Sequence, residues 1–289
     1  MSGQRVYPAL AAWTRSPYNP RMITEVLRPR NVEEAISAGR KPGAAYLGGG
    51  TWLSSPAARG VTTLVSLERL GLSSIEVSST RVVLEARVTF QQILDAPGLP
   101  EAIYQSVRLT ASRTLRAMIT IGGEIGLLPP DSPLLCALLA LDARIAIAGA
   151  SEQIPMERYL AEPPRGLVLS VALDRPVPLG AVQAVSRTSH SPRSVIVAVA
   201  ARSLRPHVTE PRIVVGDGRR AAVRLIDTEN RLRGVPLASK AGDAKARIEE
   251  WVRQEVHPEA DIHASVEYKR YIAGVLVADA LEGLAEQTA

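Results

Sequence analysis

Hydrophobic and polar positions along this chain switch repeatedly between the two-residue period of a strand and the longer period of a helix. Residues 1–20 carry Pro8, Pro17 and Pro20 without periodicity and predict an arm laid over the surface. Residues 24–28 read as a strand, and Asn31 then caps a helix with Glu34 three residues on, as in a capping box. The next strand, 44–47, runs directly into Gly48-Gly49-Gly50. From Thr62 onward strands are predicted at 63–67, 74–77 and 81–86, and helices around 90–94 and 101–110. A buried helix over 133–141 and strands at 144–148 and 166–173 close this part.

Pro176 and Pro178 mark a boundary. Beyond it, strands at 181–187, 195–202, 212–215 and 222–225 predict an antiparallel set, and two helices finish the chain. The last helix spaces Tyr268, Ile272, Val275, Leu276 and Leu284 for packing on the sheet. The pattern therefore divides the chain into an arm (1–20), a first domain (21–175, with subdomains near 21–60 and 61–175) and a second domain (176–289).

Composition narrows the function. A 289-residue chain with 46% hydrophobic and 22% charged residues has the makeup of an ordinary globular protein. Its net charge of +5 is spread among scattered arginines, and a single Phe provides no stacking stripe, so nucleic acid is not the expected partner. The longest apolar stretch, 134–141, is too short to span a membrane, and the N-terminus lacks a basic-then-apolar leader, so the expected location is cytoplasmic. Cys136 is the sole cysteine, which excludes an internal disulfide and a four-thiolate iron–sulfur site within this chain. Within its apolar run it is expected to be a buried, inert thiol. His190, His207, His257 and His263 lack paired ligand spacing, so no metal site is expected.

Candidate chemistry lies in two glycine clusters, Gly48-Gly49-Gly50-Thr51 and Thr120-Ile121-Gly122-Gly123. Consecutive glycines allow main-chain N–H groups to converge on an anion, and a Thr hydroxyl adds a donor, which suits the pyrophosphate of a dinucleotide. A Cβ at Gly49 or Gly122 would strain the backbone or block the anion's approach. Valine at either position is thus expected to weaken ligand binding while leaving the fold largely intact. Neither cluster fits the Rossmann or phosphate-loop spacing.

The order of these motifs resembles the FAD-binding medium subunit of the molybdenum hydroxylase family, which includes xanthine dehydrogenase and carbon monoxide dehydrogenase. Leu47-Gly-Gly-Gly-Thr-Trp-Leu53 is similar to that family's first flavin loop, and Arg116-Ala-Met-Ile-Thr-Ile-Gly-Gly-Glu124 to its second. The stretch from Asp131 to Ala143 resembles the segment that follows, and Glu229–Gly234 and Ala264–Arg270 resemble two structural motifs near the C-terminus.

The resemblance implies an α+β architecture: an N-terminal two-subdomain α/β FAD-binding domain of the p-cresol methylhydroxylase type, then a domain with a small antiparallel sheet and helices. It implies noncovalent FAD held by Leu47, Gly48, Gly49, Gly50, Thr51, Trp52, Leu53, Thr110, Arg116, Thr120, Ile121, Gly122, Gly123, Glu124 and Asp131, with no catalytic acid or base. The first loop is expected to hold the pyrophosphate and Asp131 to orient the cofactor. Molybdopterin and [2Fe-2S] clusters are expected on a large and a small partner subunit, with the complex a heterotrimer or a dimer of heterotrimers. Alternatives are a lone flavin oxidoreductase and an assembly subunit that has lost FAD. Glu124 stands where the family carries Asn, so its carboxylate must turn away from the phosphates, pair with an arginine such as Arg116, hold a proton, or leave FAD weakly bound.

Overall fold

The computed structural model describes residues 23–55, 58, 60–110, 112–164, 166–188, 191–237 and 243–287; the arm expected over 1–20 lies outside the described residues. Three short strands open the fold as a parallel sheet, with Thr63–Ser66 between Glu25–Leu27 and Ala44–Leu47. The helix Val32–Gly39 covers it, and Ala35, Val65, Leu67 and Leu167 form the buried centre. Asn31 caps this helix as expected, accepting from the Glu34 N–H at 2.8 Å. Glu34 closes the box one residue early, on the Arg30 N–H, also at 2.8 Å.

A five-stranded antiparallel sheet follows, in the order Ile75–Val77, Arg81–Glu85, Val168–Asp174, Arg144–Ile147, Ile154–Pro155. Helices Phe90–Asp95, Glu101–Thr110, Ile121–Leu127 and Pro133–Ala140 supply its hydrophobic core. All eight residues of Pro133–Ala140 are buried, which explains an apolar run without a polar face. Cys136 lies within it, and burial pushes its thiol up to about 12, so it is inert at neutral pH.

The sequence pattern misses four short helices: Arg113–Arg116, Ile121–Leu127, Met156–Ala161 and Ile226–Leu232. Ile121–Leu127 contains Gly122, Gly123 and Gly126, each unfavourable in a helix, and is set by its cap and its packing instead. With Ile226–Leu232, the C-terminal part has three helices among the described residues rather than two.

The four-stranded antiparallel sheet there runs Val223–Arg224, Arg212–Gly216, Arg193–Ala201, Leu179–Ser186. Arg193–Ala201 is buried on both faces. Ile196, Ala198 and Ala200 join the core of the first half through helix Pro133–Ala140, whereas Val195, Val197, Val199 and Ala201 face helices Asp243–Glu255 and Val266–Gln287. Burial on both faces accounts for a continuous apolar run where a half-exposed strand would alternate.

Charges reinforce this seam. Arg212 donates to the Leu139 carbonyl at 3.2 Å and pairs with Asp142 at 3.0 Å. Arg224 reaches Glu157 at 2.9 Å and Glu229 at 2.5 Å, and Glu229 also accepts the Ile213 N–H at 2.9 Å. Glu229 is 2% exposed, so its charge depends on that guanidinium. Arg224→Met is expected to lower stability by about 3 kcal/mol in urea unfolding. Adding Glu229→Gln should recover part of the loss, because it removes the unpaired charge and keeps an acceptor for Ile213.

Candidate functional site

Strand Ala44–Leu47 lies at one edge of the small sheet, and the six residues after it, Gly48 to Leu53, line a cleft of about 300 Å³. That is the low end of small-molecule clefts. Gly50 takes φ +74°, which turns the chain and favours glycine. The Ser54 N–H closes the turn on the Gly50 carbonyl. Among the described residues, the N–H groups of Gly49, Gly50, Thr51 and Trp52 have no acceptor in the protein. Four successive free donors in the wall of a cleft form a cradle for an anion.

Helix Ile121–Leu127 forms the facing wall, and its N-terminal donors are engaged. The Ile121 N–H bonds the Val88 carbonyl at 2.9 Å, the Gly122 N–H bonds Ala86 at 2.8 Å, and the Gly123 N–H bonds the capping Thr120 hydroxyl at 3.2 Å. The expectation that both glycine clusters present free N–H groups therefore holds only for the first. Gly122 and Gly123 allow close packing: a Cβ at Gly122 would stand 2.6 Å from the Ala86 Cβ and 2.8 Å from its carbonyl oxygen.

Gly49 has a similar role. A Cβ there would lie 1.5 Å from the Met118 carbonyl oxygen, so glycine lets the first loop rest on the segment leading into the second. The expected valine variants would thus disturb the fold itself, because the obstruction is protein backbone.

The predicted residues divide cleanly. Gly48, Gly49, Gly50, Thr51, Trp52 and Leu53 meet Thr120, Gly122, Gly123 and Glu124 around the cleft. Leu47, Thr110, Arg116, Ile121 and Asp131 stand outside that lining. Thr110 bonds the Ser106 carbonyl within its own helix, and Ile121 is fully buried in the core. The sequence pattern missed the floor, formed by Ala86, Leu67, Gly166, Leu167 and Val168. Those small and apolar side chains carry no chemical signature, so only the fold identifies them.

Among the described residues, Glu124 is the one charged residue lining the cleft. The Ser132 hydroxyl donates to its Oε1 at 2.5 Å. Burial pushes its carboxyl up to about 7, with Asp131 adding to the rise and both the Ser132 bond and the Arg193 charge opposing it. An arginine acting on Glu124 is Arg193, which opens strand Arg193–Ala201. Burial in turn lowers Arg193 from its usual value, while Asp131 and Glu124 raise it.

The chain matches the FAD binding domain in molybdopterin dehydrogenase over residues 21–173 and the CO dehydrogenase flavoprotein C-terminal domain over residues 181–284. It is 32% identical over 262 residues to the uncharacterized protein YgfM of Escherichia coli K12, covering 89% of this chain and 95% of that protein. Its fold is similar to that of Cu,Mo-CO dehydrogenase (TM-score 0.80, 21% identity, 92% of this chain and 98% of that chain). It is equally similar to quinoline 2-oxidoreductase from Pseudomonas putida 86 (TM-score 0.81, 19% identity, 91% and 97%).

Two outcomes are expected of this geometry. Gly49→Ala should cost roughly 2 kcal/mol or more of stability, since backbone must move to admit the methyl group. Gly126→Ala, whose Cβ meets nothing within 4 Å, should be neutral or stabilising. Glu124 adds a pH dependence. Its folded value lies above the unfolded one, so the native state holds the extra proton, and stability falls as pH rises from about 4.5 to about 7. Glu124→Gln should remove up to about 3 kcal/mol of that fall. In urea unfolding the variant should match the parent near pH 4.5 and exceed it near pH 8.

Proposed function

This chain belongs to the FAD-binding flavoprotein family of molybdopterin dehydrogenases, and from that premise we propose that it is the noncovalent FAD-binding, electron-transfer subunit of a heterotrimeric molybdenum hydroxylase. One observation carries the reading: among the described residues, four successive N–H groups without a protein acceptor, at Gly49, Gly50, Thr51 and Trp52, lie in the wall of a cleft whose lining includes no Lys or Arg. Donors of this kind fit a pyrophosphate. We assign direct contact to Gly48–Leu53, Thr120, Gly122, Gly123 and Glu124. Leu47, Thr110, Arg116, Ile121 and Asp131 support the two walls from behind. The FAD-binding unit is 21–175, in subdomains of about 21–60 and 61–175, and the remainder, 176–289, buttresses it.

FAD, when bound, supplies the ability to accept single electrons and release a pair. The protein's part is positional. The first loop's N–H groups neutralise the phosphates, and Gly49 lets that loop seat on the Met118 carbonyl, which sets the separation of the walls. Ala86, Leu67, Leu167 and Val168 exclude water from the floor. With one cysteine, buried, the chain lacks thiolates for a cluster, so its electrons come from [2Fe-2S] clusters of a small partner subunit. Substrate oxidation belongs to a large molybdopterin subunit, and the assembly is a heterotrimer or its dimer, working in the cytoplasm. No described helix is long and apolar enough to cross a membrane.

The purified chain, loaded with FAD, should keep a visible flavin band through gel filtration and release all of it on denaturation. It should pass electrons from a reduced dye to an acceptor while failing to oxidise the substrate of the complex. A well-folded chain that binds no flavin at any concentration tested would sink the reading, and full-rate substrate oxidation by the chain alone would sink the subunit assignment.

A further inference from the structure

The flavin reading gives Glu124 a place in the cleft wall but no protonation state. Glu124 lines the cleft yet is only 8% exposed. Its carboxyl receives the Ser132 hydroxyl at 2.5 Å, a partner that can donate to a carboxylate or accept from a carboxylic acid. The surrounding charges are Asp131, beside that serine, and Arg193, from the C-terminal sheet. Tyr159, from helix Met156–Ala161, is spent on the Ile125 carbonyl. The two strands packed against helix Ile121–Leu127 carry Arg81, Glu85 and Asp174, but Arg81 pairs with Asp174 and Glu85 takes the Ser74 N–H, and helix Pro133–Ala140, packed on the same helix, brings only the buried Cys136 thiol.

Charge counting over this cluster decides its response to a ligand. With Glu124 ionised, two carboxylates face one guanidinium and the wall carries a net charge of −1. With Glu124 protonated, the wall is neutral. A dinucleotide brings two fixed negative charges into the same cleft, because its pyrophosphate is a diester without an ionisation near neutrality. The neutral wall accepts those charges and the negative wall repels them across a medium that screens poorly.

We infer that Glu124 takes up a proton as the anionic dinucleotide enters the cleft, so that occupancy of this flavin site is coupled to pH through the Glu124–Ser132–Asp131–Arg193 cluster. The inference rests on the FAD reading above. The proton comes from solvent and is released when the ligand leaves; no bond to the cofactor forms. Burial already pushes the Glu124 carboxyl up to about 7, so the coupling falls in the physiological range.

Titration of the folded chain with FAD by calorimetry tests this without any enzymatic turnover. In two buffers of different ionisation heat near pH 8, the observed heats should differ by close to one proton taken up. The Kd should rise by about thirtyfold between about pH 6 and about pH 8.5. Glu124→Gln should abolish both effects and bind FAD at high pH as well as at low. Arg193→Gln, which leaves Glu124 in place, should move the transition to higher pH, a shift that a merely structural arginine would not cause. FAD binding with equal affinity at both pH values and no buffer-dependent heat overturns the coupling and leaves the flavin site standing. A folded chain that binds no FAD at either pH overturns both.

Discussion

Burial of strand Arg193–Ala201 on both faces is the constraint from which the rest of the molecule follows. A strand that is apolar throughout must be covered twice, and the chain covers it with two independent sets of elements. Ile196, Ala198 and Ala200 are packed by the core that also holds helix Pro133–Ala140, and Val195, Val197, Val199 and Ala201 by the C-terminal helices. The sheet is therefore shared property of the two halves. Pro176 and Pro178 punctuate the chain between them, but the packing beyond those prolines continues into the first half, and Arg212 and Arg224 tie the seam with Asp142 and Glu157.

That shared sheet also reaches the cleft. Its central strand begins at Arg193, whose charge acts on Glu124 and Asp131 in the first half. The C-terminal part thus contributes to the electrostatics of a site whose lining, among the described residues, comes from residues 45–168. Burial dominates the charge state of Glu124 in the cleft wall, and the Arg193 charge from the C-terminal sheet opposes it.

The two glycine clusters have different physical duties despite their similar appearance. In the first, the turn at Gly50 leaves successive N–H groups facing outward and unspent. In the second, Thr120 caps a helix and the neighbouring carbonyls of Ala86 and Val88 consume the donors, leaving the glycines as contact surfaces where a Cβ would collide. Diglycine in a sequence reports only the absence of a side chain. Whether that absence serves a ligand or a neighbouring backbone depends on what stands opposite.

Local order was legible in the sequence wherever the period was strong: the strand before the first loop, the cap at Asn31, the all-apolar helix Pro133–Ala140 and the antiparallel C-terminal set follow from patterning alone. Helix Ile121–Leu127 was illegible because its glycines argue against helix, and tertiary bonds to Ala86 and Val88 override that propensity. The motif order carried the family, since several short motifs in one sequence order are specific where each alone is weak. The cleft floor, the spent donors of the second cluster, the Ser132 bond to Glu124 and the Arg193 charge acting on it could come only from the tertiary structure. They depend on groups far apart in the chain, and a periodic pattern encodes which face of an element is buried but not which residue it will meet there.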